Sequence, residues 1–190
     1  DAVNPAIPVD MTGGPEVVPL SAGRFLYFWQ IPNPIGGDIV KFPLQGNTQP
    51  QPFWGPRTGQ ACAGCHSVSP DGKYVAVLEG PSMRFVEADT GAELILSNRF
   101  DDPQYFSWRP DVETNPPYQF AYGTGGVVKI AAVFDGFLRD LQGANDSSYL
   151  QTMPSWSKTG KIAFVKGTPA PSNGQNNGAT GFQGPTDVMV

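Results

Sequence analysis

A chain of 190 residues with 23 Gly, 20 Pro, 12% aromatic and only 15% charged residues is long enough for one sizeable core, and its many turn formers exclude a bundle of long helices. A net charge of −5 without any basic run excludes nucleic-acid phosphate as a partner and leaves room for a basic protein partner. Only two cysteines are present and both sit in one short motif; if they hold a cofactor no disulfide remains, so cysteine usage alone does not fix the compartment.

Residues 1–16, with Pro5, Pro8, Pro15 and the pair Gly13-Gly14, lack any period and are expected to form an extended N-terminal arm. Asp1-Ala-Val-Asn-Pro is expected to be a mature end exposed by processing. Residues 17–190 form the expected domain. Val17 to Leu20, Arg24 to Gln30 and Gly37 to Phe42 predict strands, with turns at Ser21-Ala22-Gly23 and in the Pro/Gly loop between the last two. Apolar runs such as Phe25 to Trp29 have strand length, and none is long enough for a membrane span.

The chemistry concentrates in Cys62-Ala63-Gly64-Cys65-His66. C-x-x-C-H is the attachment pattern of c-type haem: two thiols add to the vinyl groups and the adjacent imidazole becomes an axial iron ligand. Three other readings stand beside it. A zinc site would have to borrow a carboxylate, because the chain holds no other Cys or His. A redox C-x-x-C belongs at a helix N-terminus near a βαβ unit, which the sequence does not predict. The third is a chance match.

His66 is the sole imidazole, which excludes a second histidine ligand from within the chain. The sixth position falls to Met83, Met153, Met11, Met189, or another chain. His66 is expected at the start of an innermost strand, with Met83 at the same sheet end, two strand spacings or roughly 10 Å away. Phe53 and Trp54, just before the motif, are expected to wall the porphyrin and restrict water.

Ser67-Val-Ser-Pro-Asp-Gly72 is a turn signal leading into the strand-like Lys73 to Leu78. The signal recurs at Ser107-Trp-Arg-Pro-Asp111 and Ser155-Trp-Ser-Lys-Thr159, spaced by 40 and then 48 residues. A second strand follows each: Tyr74 to Leu78, Tyr118 to Tyr122 and Lys161 to Val165. A third is expected at Arg84 to Asp89 and at Val127 to Phe134. Such a period predicts an all-β fold of four-stranded antiparallel blades, a β-propeller of which about three to four blades are visible. Trp108 and Trp156 are expected to pack between blades. Asn173 to Gly181 reads as an inter-strand loop.

Pro154-Ser-Trp-Ser-Lys-Thr-Gly-Lys-Ile-Ala-Phe-Val165, with Asp187-Val-Met-Val190, resembles the repeat of TolB-like and WD40-like propellers. That resemblance implies a scaffold from which residues 53–66 depart, as if a cytochrome c site were built into it. The repeat breaks off at Val190, so the chain is expected to be part of a larger ring or to be completed by a partner. The expected function is electron transfer through one covalent haem. Its partner is a redox protein or a neighbouring haem subunit, and oligomer formation is expected at the blade edges. A haem enzyme with an open distal side and a protein-binding scaffold are the alternatives. Covalent haem attachment of this kind implies export to the periplasm or beyond in a bacterium.

Overall fold

The computed structural model describes residues 25–33, 36–44, 49–55, 63–79, 82–94, 100, 103, 105–136, 138–141, 149–169 and 182–190. The arm, the strand at Val17 to Leu20, Met11, Cys62 and the loop Asn173 to Gly181 lie outside the described residues.

All thirteen described elements are strands, and they form four antiparallel meanders. Sheet I is β1 (Phe25–Asn33), β2 (Gly36–Pro43) and β3 (Gln51–Trp54). Sheet II is β4 (Ala63–Val68), β5 (Tyr74–Glu79) and β6 (Ser82–Glu87), extended by a single bridge from Val86 to Glu93. Sheet III has four strands: β7 (Phe106–Trp108), β8 (Gln119–Thr124), β9 (Val127–Ala132) and β10 (Leu138–Asp140). Sheet IV is β11 (Leu150–Trp156), β12 (Ile162–Pro169) and β13 (Phe182–Met189).

The repeat is reproduced in the pairing. Ser67, Ser107 and Ser155 each face an alanine of the next strand: Ala76, Ala121 and Ala163. The turns that follow are closed locally in sheets II and IV. Ser69 Oγ accepts from Tyr74 N at 3.0 Å, and Ser157 Oγ accepts from Lys161 N at 3.0 Å. Gly72 and Gly160 take the left-handed φ values of 75° and 83° that such turns require, where a side chain would be strained.

Sheets II and III are apolar on both faces, and period-two alternation sends successive residues into different seams. Val75, Val77, Val86 and Ala88, with the half-buried Val68 of the same sheet, pack toward sheet I against Ile39 and the half-buried Tyr27. Ala76, Leu78, Met83 and Phe85 pack the other way, onto Trp108, Phe120 and Tyr122 of sheet III. Ala121, Val128 and Ile130 of sheet III meet Trp156, Ile162 and Phe164 of sheet IV. The sheets are therefore packed serially, I on II, II on III and III on IV, and burial of each large apolar side chain contributes about 1.5–3 kcal/mol.

Three details differ from the sequence reading. The hairpin between β1 and β2 is tighter than expected, with pairing that reaches Asn33 and Gly36. Gln51–Trp54 is the third strand of sheet I, which the Pro-rich flank Gln49 to Pro52 disguises. Strand β4 begins at Ala63, upstream of His66, so residues 63–66 of the motif lie within a strand and do not lead up to its start.

Candidate functional site

His66 occupies an edge strand. It pairs with Val77, while Ala63 pairs with Glu79, so β4 spends one residue more than β5 over this span and bulges at Gly64-Cys65. Directly cross-strand residues share a face, which puts half-buried His66 in a row with Val77 and Arg84 on the side toward sheet I. Two residues further along the same face stands Glu79, 1% exposed. Arg84 Nε lies 3.5 Å from Glu79 Oε2, and Arg84 Nη1 donates to Glu93 Oε1 at 3.1 Å. A guanidinium shared between two carboxylates thus lies on the face of the histidine, one strand beyond Val77, and a buried carboxylate without such a partner would be strongly destabilising. Sequence reasoning missed Glu79 and Arg84. The available signal was Glu79 at the end of the apolar run of β5 and Arg84 between Met83 and Phe85 in β6.

The predicted site residues separate into those on this face and those elsewhere. Cys62 lies outside the described residues, and for Cys65 only the backbone is described. Trp54, opposite Ile39 in sheet I, packs against the cluster that fills the seam between sheets I and II, the side His66 faces. Phe53 packs against the same cluster but at the opposite end from the motif. Its ring lies 4.8 Å from Tyr27, and its backbone oxygen would stand 3.5 Å from a Cβ at Gly91, in the turn after β6. His66 is three residues back along β5 from that end, roughly 10 Å.

Met83 is not brought to the face of His66. Its register partner is Leu78, one residue out of phase with Val77, so its side chain is 7% exposed in the core between sheets II and III. The spacing along the strands is as expected; the parity of the pleat sends the thioether to the other side. Met153 and Met189 belong to sheet IV. Met153 is 43% exposed with φ 52°, a left-handed backbone at a bulge of β11.

The turn residue Asp71 does more than close its turn. Its carboxylate accepts from Ser69 Oγ at 2.7 Å and from the backbone N of Lys73 at 3.2 Å, and Tyr118 Oη of the loop before β8 donates to it at 2.7 Å. Burial pushes the carboxyl upward, but the hydrogen bonds from Ser69, Tyr118 and Lys73 outweigh it, and its pKa lies below the ordinary value. Tyr118 is raised by burial and by Asp71. In the seam between sheets I and II, Tyr27 Oη donates to Ala88 O at 2.9 Å, and burial followed by the charge of Asp89 pushes Tyr27 up to about 12.

No protein-family model matches the chain, and no curated protein matches it. Among the described residues, no group of three or more His, Cys, Asp or Glu is arranged to hold a metal ion, and no helix is long and apolar enough to cross a membrane.

Proposed function

We propose that the chain is a c-type cytochrome: an electron carrier that holds one haem on a β-propeller scaffold. One observation carries the reading, the unbroken Cys62-Ala-Gly-Cys65-His66, which spends both cysteines and the sole histidine of the chain. The donor set fits the group. Cys62 and Cys65 would hold it through thioethers and His66 would ligate its iron, and the bound group supplies a one-electron couple. The chain's own part is positioning and exclusion of water. Strand β4 is anchored by its ladder to β5, Trp54 packs the seam on that side, and Arg84 offers guanidinium donors between Glu79 and Glu93.

The propeller reading is supported by the serial stacking of four meanders and by the TolB-like repeat, which sets three serines opposite three alanines. The acidic balance suits a basic redox partner, and covalent haem chemistry implies an exported protein. Intact mass of the protein produced with a haem-attachment system tests the reading. The expected result is the chain plus one haem, lost when Cys62 and Cys65 are both changed to Ala. Haem that survives acid-acetone extraction in that double variant, or a wild-type chain without haem, overturns it.

A second reading, a haem enzyme with an open distal side, is favoured by the burial of Met83 on the face away from His66. A low-spin spectrum with a methionine–iron band supports the carrier. A high-spin spectrum that changes on adding cyanide or nitrite supports the enzyme.

A further inference from the structure

Among the described residues, one charged side chain is fully buried: Glu79, 1% exposed. A carboxylate taken out of water is unfavourable unless a cation stands against it, so the apolar run Val75 to Leu78 gains nothing for its core by ending on Glu. Nor does the repeat require it. Counting three residues on from the alanines that face the repeat serines, Ala76, Ala121 and Ala163, the position holds Glu79 in sheet II, Thr124 in sheet III and Lys166 in sheet IV. Thr124 and Lys166 are only half-buried. The buried carboxylate is therefore confined to the sheet that carries the attachment motif.

Its place in that sheet is specific. Glu79 stands directly opposite Ala63, one of the two residues between Cys62 and Cys65, and such partners have Cβ atoms about 4.5–5.5 Å apart. It lies two residues along β5 from Val77, the partner of His66, and alternation puts both side chains on the face toward sheet I. Arg84 compensates the burial, with Nε 3.5 Å from Glu79 Oε2 and Nη1 3.1 Å from Glu93 Oε1. One guanidinium against two carboxylates leaves an excess of negative charge. Glu93, bridged to Val86 on the far side of β6, is the carboxylate more remote from the motif, and its side chain is 25% exposed. The buried one is the one beside the motif.

We propose that Glu79 is a potential-setting residue, whose buried charge favours the oxidised state of an iron held at Cys62-Ala63-Gly64-Cys65-His66 and so keeps the reduction potential down. The inference rests on the haem reading and deepens it. Oxidised iron carries one positive charge more than reduced iron, so a nearby carboxylate stabilises the oxidised form preferentially, and burial spares that attraction most of the screening that salt imposes at a surface.

Glu79→Gln, nearly isosteric and uncharged, tests the role, with Glu93→Gln as the more exposed control on the same guanidinium. Each protein is produced with a haem-attachment system, intact mass establishes one haem per chain, and midpoint potentials are measured by spectroelectrochemical titration at low and high salt. Glu79→Gln is expected to raise the potential by about 60 mV or more, which is about a tenfold change in the ratio of oxidised to reduced protein at fixed ambient potential. That shift should persist in about 1 M salt with an unchanged visible spectrum, whereas Glu93→Gln should shift the potential less and lose its shift in salt. Glu79→Thr, which carries the sheet III residue, should reproduce the rise and keeps the test open if the Gln variant does not fold. Potentials at or below wild type in the Glu79 variants, equal shifts from Glu79→Gln and Glu93→Gln, a rise abolished by salt, or a rise accompanied by a change of iron ligation in the spectrum overturns the inference and leaves the cytochrome reading intact. A wild-type chain without haem overturns both.

Discussion

The seam between sheets II and III and the seam between sheets III and IV are built on one register and filled differently. In the first, Phe85 lies at the centre of an aromatic group, 5.8 Å from Phe100, 5.7 Å from Trp108 and 5.3 Å from Phe120. Phe100 comes from the segment joining the two sheets. In the second, Ile130, Ile162 and Phe164 stand at the matching places around a cavity. Backbone pairing is therefore conserved while the filling is free to vary. A repeat unit fixes where a seam lies, and the side chains at a few equivalent positions decide whether it is solid or hollow.

The largest expected effect is at the filled seam. Phe85→Ala should lower stability by about 3–5 kcal/mol in denaturant unfolding, since the surrounding rings cannot collapse into the space. Ile130→Ala removes fewer atoms beside existing space and should cost about 2 kcal/mol. Equal losses would break the comparison. Next is Asp71, which ties the sheet II turn to Tyr118. Asp71→Ala removes charge-assisted hydrogen bonds and should cost about 2 kcal/mol at neutral pH. Its folded pKa is depressed, so the stabilisation is present above the unfolded carboxylate pKa and is lost as pH falls through the folded one. The gap between wild type and Asp71→Ala should accordingly narrow on acidification, and a gap that stays constant down to acid pH would contradict the assigned bonds.

The smallest effect sharpens the comparison most. Trp108→Phe gives up the bond to Ser67 O and should cost about 1 kcal/mol. Trp156→Phe gives up no indole bond and should be close to neutral, because it removes a buried N–H without an acceptor. A cost for Trp156→Phe as large as that for Trp108→Phe would mean that the indole N–H has an acceptor after all.

The strands after the S-P-D-type turns were legible, because alternating Val, Ala and aromatic residues between Gly-marked turns leave few alternatives. Gln51–Trp54 was not, since proline depresses strand propensity and its acceptance on the outer strand of sheet I depends on tertiary pairing. The haem-attachment pattern at residues 62–66 is read from the sequence alone, since Cys62 lies outside the described residues. The relation of Met83 to His66 was not legible, because spacing gives distance along a sheet while a bulge of one residue and the pleat decide the side. The contact of Arg109 with Trp156 was not legible for another reason: the repeat shows Arg109 where Ser69 and Ser157 stand, but only the packing of sheet III on sheet IV brings its guanidinium to the ring.

The bulge at Gly64-Cys65 has a counterpart in β11, where Thr152 pairs with Val165 and Ser155 with Ala163. In both first strands the extra residue lies just upstream of the serine–alanine pair, which stays in step. That stretch is where the architecture tolerates a change in chain length without disturbing the sheet beyond it. A bulge there absorbs an extra residue locally, so the ladder that follows keeps its step in both sheets.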